Sequence, residues 1–434
     1  MAFERQVAEA SMAWMDGLWD DNTALLWSVR RDRHMVRETA WYAMGLLQRG
    51  DNARAERSLR AVLANQFPMD GTPFEGTFRR APEEATPPDD AVRWRHYDPN
   101  WRQFIGTTFA VIVDQYGGAR LPDALVDDLR ASIADCVAGE PDDRVAATYA
   151  NIALMKAWLD AWAGRADIGE SFARQTYAHF DVHGAFLEYN SPTYYGINLW
   201  ALALWRSSTG ALRELGADIE VRLWTDISRF YHAGLRNLCG PYDRAYGMDM
   251  SGHATPLGLH IWSAVGRERA PFPETSGQFS HPHDFCFGPL VAAAPTRIPD
   301  DVLPHLGTFQ GEREVERTIS DDPERVATAW LGPDAMIGGW TGPSSGISPL
   351  QQSRGTIHTP SGSLRLLPET AADAIASPGV LEITSEGPIT LDTSGALRVE
   401  FDSSVEPVSE ERDGRSMLTF DGSGTTSVTV RCLG

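Results

Sequence analysis

Four short stretches of this chain gather side chains that move protons, bind hydroxyls or carry charge. They are Asp98-Pro-Asn-Trp-Arg102, Tyr149-Ala-Asn151, Glu188-Tyr-Asn-Ser-Pro-Thr-Tyr-Tyr195 and Pro241-Tyr-Asp-Arg-Ala-Tyr-Gly-Met-Asp249. Asn100 precedes Asn151 by 51 residues, Asn151 precedes Tyr194 by 43, and Tyr194 precedes Tyr242 by 48. Steps this even are expected to bring all four stretches to one end of a repeating architecture. Aromatic faces stack on sugar rings, while amides and guanidinium groups bond hydroxyls and carboxylates. Substrate contacts are therefore expected at Asn100, Trp101, Arg102, Glu188, Asn190, Tyr195, Tyr242, Arg244, Tyr246 and Asp249. Arg37 joins them from the basic run Arg30, Arg31, Arg33, His34 and Arg37, a local positive charge suited to an anionic sugar.

Plainer roles compete at every position. Asn151 could cap a helix, Tyr194 could simply pack at a helix start, and Trp101 and Arg102 could anchor a loop. His34 and His260 sit in helical patterns and read as core or surface residues. His281 and His283 have a spacing that can hold a metal, but no third ligand is evident, and no cofactor is called for.

The rest of the chain bounds the function. A formal charge of −21 over 434 residues argues against nucleic acid, whose phosphates demand a basic face. Cys136, Cys239, Cys286 and Cys432 are scattered without a CxxC pair and are expected as buried free thiols. No apolar run approaches the roughly 20 residues needed to cross a bilayer. The first residues lack the basic-then-apolar order of a secretory signal, so a cytoplasmic location is expected.

The elements that must position the clusters show a pattern. Five apolar segments of helical length stop at glycine: Trp41 to Gly50, Thr107 to Gly118, Ile152 to Gly164, Leu199 to Gly210 and Leu257 to Gly266. Glycine past a helix end supplies the left-handed residue that releases the chain. The stops are 68, 46, 46 and 56 residues apart, room for a helix out and a helix back. Return helices are expected at Pro122 to Ala138 and Ile168 to Phe180, and Phe67 to Asp98 reads as an inserted loop. Inner helices apolar nearly all round suggest an incomplete α/α toroid of five to six pairs over residues 1–270.

Beyond Pro271 the segments become short, β-prone and alternating. Strands are expected at Arg325 to Leu331, Gly355 to Thr359, Ser363 to Leu367, Val380 to Thr384, Ile389 to Asp392, Leu397 to Phe401, Met417 to Phe420 and Thr426 to Arg431. Turns fall at Ser361-Gly362, Ser394-Gly395 and Asp421-Gly422. Residues 271–434 thus read as an antiparallel β-sandwich, with Glu406 to Arg415 as a charged loop, and the whole as an α+β multidomain chain.

Ser191-Pro192-Thr193-Tyr194 after Glu188, with His183-Gly184-Ala185-Phe186 upstream, resembles the segment carrying the catalytic tyrosine in heparinase II/III-like and alginate-type polysaccharide lyases. Asn151, opening Asn-Ile-Ala-Leu-Met-Lys-Ala, resembles their helix headed by an active-site asparagine. The match covers about 30 residues, and those lyases commonly place histidine where this chain has Tyr195 and Ile152. The resemblance implies β-elimination at a uronic acid within an oligosaccharide. Asn151 would neutralise the carboxylate, assisted by Arg102 or the Arg31 to Arg37 run, and Tyr194 would transfer the proton. His183, His253, His281 or His283 would supply a second proton-transfer group. The rival readings are a glycoside hydrolase using Asp98, Glu188 and Asp249, and a small-molecule dehydratase or isomerase.

Overall fold

A helix without a polar face has nothing to offer water, and the computed structural model buries such helices in series. It describes residues 2–28, 30–343, 351–367, 372–422 and 424–433. Contacts divide the chain into two units interleaved in sequence. The first comprises Met1–Tyr177, Ile197–Asp218 and His281–Thr296, and the second Ala178–Gly196, Ile219–Ser280 and Arg297–Gly434.

In the first unit the apolar helices Val36–Arg49, Trp101–Arg120 and Ala150–Trp162 contact one another in that order. Every residue from Ala150 to Asp160 is buried, including an ion pair of Lys156 with Asp160 at 2.5 Å. The return helix Asn52–Leu63 buries only Ala55, Ser58, Leu59 and Val62 and lies against Val36–Arg49, while Asp123–Ala138 lies against Trp101–Arg120. Gly50 and Gly164 release their helices at φ 83° and 85° as expected. Gly118 does not: the helix runs on to Arg120 and ends before Pro122. Gly210 opens the next helix, Gly210–Phe230. Residues 64–100 contain no helix, in keeping with an inserted loop, and Phe67, Phe74 and Tyr97 give it a small core of its own.

Among the described residues the strands of the second unit are antiparallel and, besides the short pair Tyr231–His232 and Asn237–Leu238, form two sheets. One sheet has eight, in the order Val408–Arg412, Arg415–Phe420, Ile389–Gly395, Gly362–Leu366, Gly355–Thr359, Met336–Thr341, Glu324–Leu331 and Arg313–Asp321. The other has four, ordered Ala372–Ser377, Val380–Ser385, Thr426–Cys432 and Val399–Asp402. One apolar core joins them, with Ile337, Ile357, Leu364 and Leu391 from the first and Ala374, Leu381, Ile383 and Val430 from the second. Two sheets sharing an inner face make a sandwich.

Three expectations change. The strand grammar starts later than residue 271, because short helices Gly288–Ala293 and Leu303–Gly307, each with proline in its first turn, come first. Strands Arg313–Asp321, Met336–Thr341 and Ala372–Ser377 add to those expected. The charged stretch 406–415 is a hairpin arm: Val408–Arg412 pairs with Arg415–Phe420, and its five residues are all exposed.

Cys136, Cys239 and Cys286 are buried free thiols whose pKa values are pushed up by burial, and Cys432 is part-exposed. No helix among the described residues is long and apolar enough to cross a membrane.

The sandwich leaves no space above Gly339, where an added Cβ would lie 2.6 Å from the Ala374 carbonyl oxygen of the facing sheet. Gly339→Ala is expected to cost about 1–3 kcal/mol of stability, read as a lower urea midpoint at unchanged slope.

Candidate functional site

Ser191 ends a loop and begins a helix. Its Oγ accepts the backbone N–H of Tyr194 at 3.2 Å, and Pro192 takes the first helical position. Tyr194 therefore sits in the first turn with its phenol beside a second loop. There the Arg244 guanidinium donates to the Tyr194 oxygen at 2.9 Å, to Tyr246 at 2.6 Å, and to Glu188 at 3.0 Å. The two phenol oxygens are 2.6 Å apart, with Tyr246 donating to Tyr194. The guanidinium also lies over the Tyr194 ring, 4.6 Å from its centre.

Glu188 is fully buried and Arg244 nearly so. Burial opposes the charge on Arg244, but Tyr194, Glu188 and Tyr246 outweigh it and hold its pKa above that of an ordinary arginine. Burial likewise pushes the Tyr246 phenol up, against the pull of Arg244. The second unit thus assembles four of the expected residues, Glu188, Tyr194, Arg244 and Tyr246, into one network.

Of the neighbours expected as substrate contacts, Asn190 and Tyr242 are committed to backbone carbonyls. Asn190 has φ 51°, a left-handed conformation that asparagine tolerates, and its buried amide donates to the carbonyls of Cys239 and Pro241, both at 2.7 Å. It clasps the loop before the Tyr194 helix to the Arg244 loop, and its amide N–H groups are committed to the backbone. Tyr242 is buried, with its hydroxyl on the Leu238 carbonyl, and its backbone exchanges two 2.9 Å bonds with Ser353. Tyr195 is buried, and burial lifts its phenol far above the usual range. Asp249 is exposed and accepts the N–H groups of Ser251 and Gly252, capping a turn. His183 lies 3.1 Å from the exposed carboxylate of Asp321. His260 is a core residue as expected, bonded to the Gly196 carbonyl at 3.0 Å and lowered to about 4 by burial.

The first unit brings Asn100 and Tyr149 together at 2.9 Å, with Arg144 donating to Asn100 at 2.8 Å and to Glu140 at 2.7 Å. Arg102 is almost wholly buried, donates to the Glu75 carbonyl at 2.6 Å and lies 3.8 Å from Glu140. It anchors the inserted loop, and so is committed elsewhere than to a sugar carboxylate. Arg37 pairs with buried Glu38 at 2.7 Å, its guanidinium 4.6 Å from the Trp41 ring, 5.0 Å from Phe104 and 5.5 Å from Trp101. Asn151 is buried in the first turn of Ala150–Trp162, where Tyr149 holds the capping position. His281 lies 3.8 Å and His283 3.6 Å from Asp284. Burial lowers His283 to about 4; it also acts to raise Asp284, but the adjacent histidines prevail and bring that carboxyl to about 2.

Sequence reasoning passed over Glu140 and Arg144, whose spacing of four is the only local signal. It also passed over Asp226, which lies 3.0 Å from Arg317. Burial lifts Asp226 to about 6 in spite of that guanidinium.

Fold and site together define a protein of apolar helices and an antiparallel sandwich, carrying a buried arginine that binds two tyrosines and a glutamate. The chain belongs to a family described as a domain of unknown function, DUF8769, whose model matches residues 5–296. No curated protein matches its sequence. Among solved structures it is similar to a heparinase III, at TM-score 0.39 and 7% identity over 91% of this chain and 76% of that one. It is also similar to a tyrosine mutant of the Streptomyces coelicolor A3 chondroitin AC lyase, at 0.42 and 11% over 99% and 79%. That lyase in complex with chondroitin sulphate gives 0.36 and 10% over 100% and 96%.

Removing one partner of a buried ion pair strands the other. Glu188→Ala is expected to cost about 3–5 kcal/mol, and the double change Glu188→Met with Arg244→Met much less; urea unfolding of the two variants measures both. Asp226 titrates higher folded than unfolded, so the unfolded chain releases this proton first as pH rises. Its contribution to stability therefore falls from about pH 4 to about pH 6. The stability difference between wild type and Asp226→Asn should change across that window and be flat above it.

Proposed function

We propose that this protein is a carbohydrate-active lyase that cleaves a uronic-acid-containing oligosaccharide by β-elimination, with Tyr194 moving the proton. The observation that carries the reading is the pair of hydrogen bonds, from Arg244 and Tyr246, that the Tyr194 oxygen accepts. An oxygen held by two donors, one of them cationic, is supported in the negative form that takes a proton.

In the proposed step the C5 proton passes to the Tyr194 oxygen, the C4–C5 double bond forms, and the C4–O bond breaks. The leaving oxygen then takes a proton, which Tyr194 can return. The family resemblance implies that Asn151 would neutralise the carboxylate, the step that lets the enolate-like intermediate form. The likeness of the Ser191 to Tyr194 segment to the lyase motif supports the role of Tyr194. A paired-carboxylate hydrolase is less well served: Glu188 is bound to Arg244 and Asp249 caps a turn. A cytoplasmic location and short oligosaccharide substrates belong to the same proposal.

The test is incubation with uronate-containing oligosaccharides while the near-ultraviolet absorbance of the new double bond is followed. Wild type should generate it, and Tyr194→Phe should lose about 100-fold or more. New reducing ends without absorbance would make the enzyme a hydrolase, and full activity in Tyr194→Phe would remove the tyrosine from the chemistry.

A further inference from the structure

Two phenols meet at Arg244, and the lyase reading gives a proton-transfer role to only one of them. Of the five tyrosines on the segments 188–195 and 241–249, Tyr189, Tyr195 and Tyr242 are buried, while Tyr194 and Tyr246 reach solvent. All five belong to the second unit. We propose that Tyr246 is the second proton-transfer group, the acid that protonates the leaving oxygen while Tyr194 acts as base. This assignment rests on the lyase reading and supplies the acid that the reaction needs.

The turn that carries Tyr246 is built to meet the Tyr194 helix. Gly247 follows it at φ 87°, in a left-handed conformation, and a Cβ there would lie 2.7 Å from Thr255 and 3.4 Å from Pro192 and Thr193. The backbone therefore packs directly on the first turn of Pro192–Ser207, and the two rings meet edge to face with centres 5.8 Å apart. Their oxygens are 2.6 Å apart, within the short range of a bond between a hydroxyl and an oxyanion. His183, which the family resemblance offers for the same role, is engaged by Asp321 at 3.1 Å.

Arg244 makes the pair a relay. It donates to Tyr194 at 2.9 Å and to Tyr246 at 2.6 and 3.1 Å, so negative charge on either oxygen meets the same cation. At rest the proton is on Tyr246, the donor of the pair, whose phenol burial pushes up against the pull of Arg244. The Tyr194 oxyanion takes the C5 proton, the C4–C5 double bond forms, and the C4–O bond breaks with its electron pair going to oxygen. Tyr246 gives its proton to that oxygen. The proton on Tyr194 then crosses to Tyr246, which restores both groups without consuming any other acid.

The test varies how much the leaving group needs an acid. One substrate is a uronate disaccharide, whose leaving sugar oxygen must be protonated; the other is the same uronate with a nitrophenyl ether at C4, which leaves as a stable phenolate. Wild type should form the double bond from both. Tyr246→Phe is expected to lose about 100-fold or more on the disaccharide and about tenfold or less on the ether, the worth of one hydrogen bond to Tyr194. Tyr194→Phe should lose heavily on both. Should Tyr246→Phe fail to fold, fluorotyrosine at position 246, a stronger acid of nearly the same shape, is expected to move the alkaline limb of the disaccharide pH profile to lower pH. Equal losses of folded Tyr246→Phe on the two substrates, full disaccharide activity in it, or an unmoved alkaline limb would overturn the acid assignment and leave the lyase reading standing. A wild type that opens neither substrate would overturn both together.

Discussion

A guanidinium cannot leave water without something negative to meet it, and the candidate site is arranged around that demand. Arg244 is nearly buried, and Glu188, from a loop more than fifty residues earlier, supplies the counter-charge. Once the pair forms, the two loops have only a narrow range of relative positions. Tyr194 and Tyr246 fall within reach of the remaining N–H groups as a consequence.

The surroundings reinforce this. Asn190 ties the Tyr194 loop to the carbonyls of Cys239 and Pro241, and Asp243 receives Gln352 at 2.9 Å and Arg325 at 3.3 Å. Arg325 in turn lies over Trp340, 4.5 Å from the ring centre. The Arg244 segment is thus bonded on one side to the loop that leads into the Tyr194 helix and on the other to Gln352 and Ser353. The polar contacts around Arg244 fix the position of the Tyr194 phenol.

Much of the architecture was legible because period and punctuation are strong local signals. Apolar helices ending at Gly50 and Gly164 stand where the glycines put them. Gly118 misled, because a glycine late in a helix costs only about 1 kcal/mol and packing carries the chain on to Pro122. Strands rich in Val, Ile and Thr were visible. Met336–Thr341 and Ala372–Ser377 were not, since close contact between the sheets selects Gly339 and Ala374, and the close approach of the Gly240 carbonyl selects Gly338, over the β-branched residues that announce a strand. At the site, residue types were readable and roles were not. Nothing local distinguishes Tyr194, which meets Arg244, from Tyr195, which is buried one position on, because adjacent positions on a helix point 100° apart and only the tertiary structure says which way is in.

The exposed hairpin arm Val408–Arg412 has a further consequence. It forms the rim of an eight-stranded sheet, where unpaired N–H and C=O groups could recruit another chain. Glu410, Glu411 and Arg412 occupy that rim with all their side chains in solvent, so an incoming strand would have to strip water from three charges to dock. That edge of the sheet is thereby guarded against pairing with another strand by its most charged sequence.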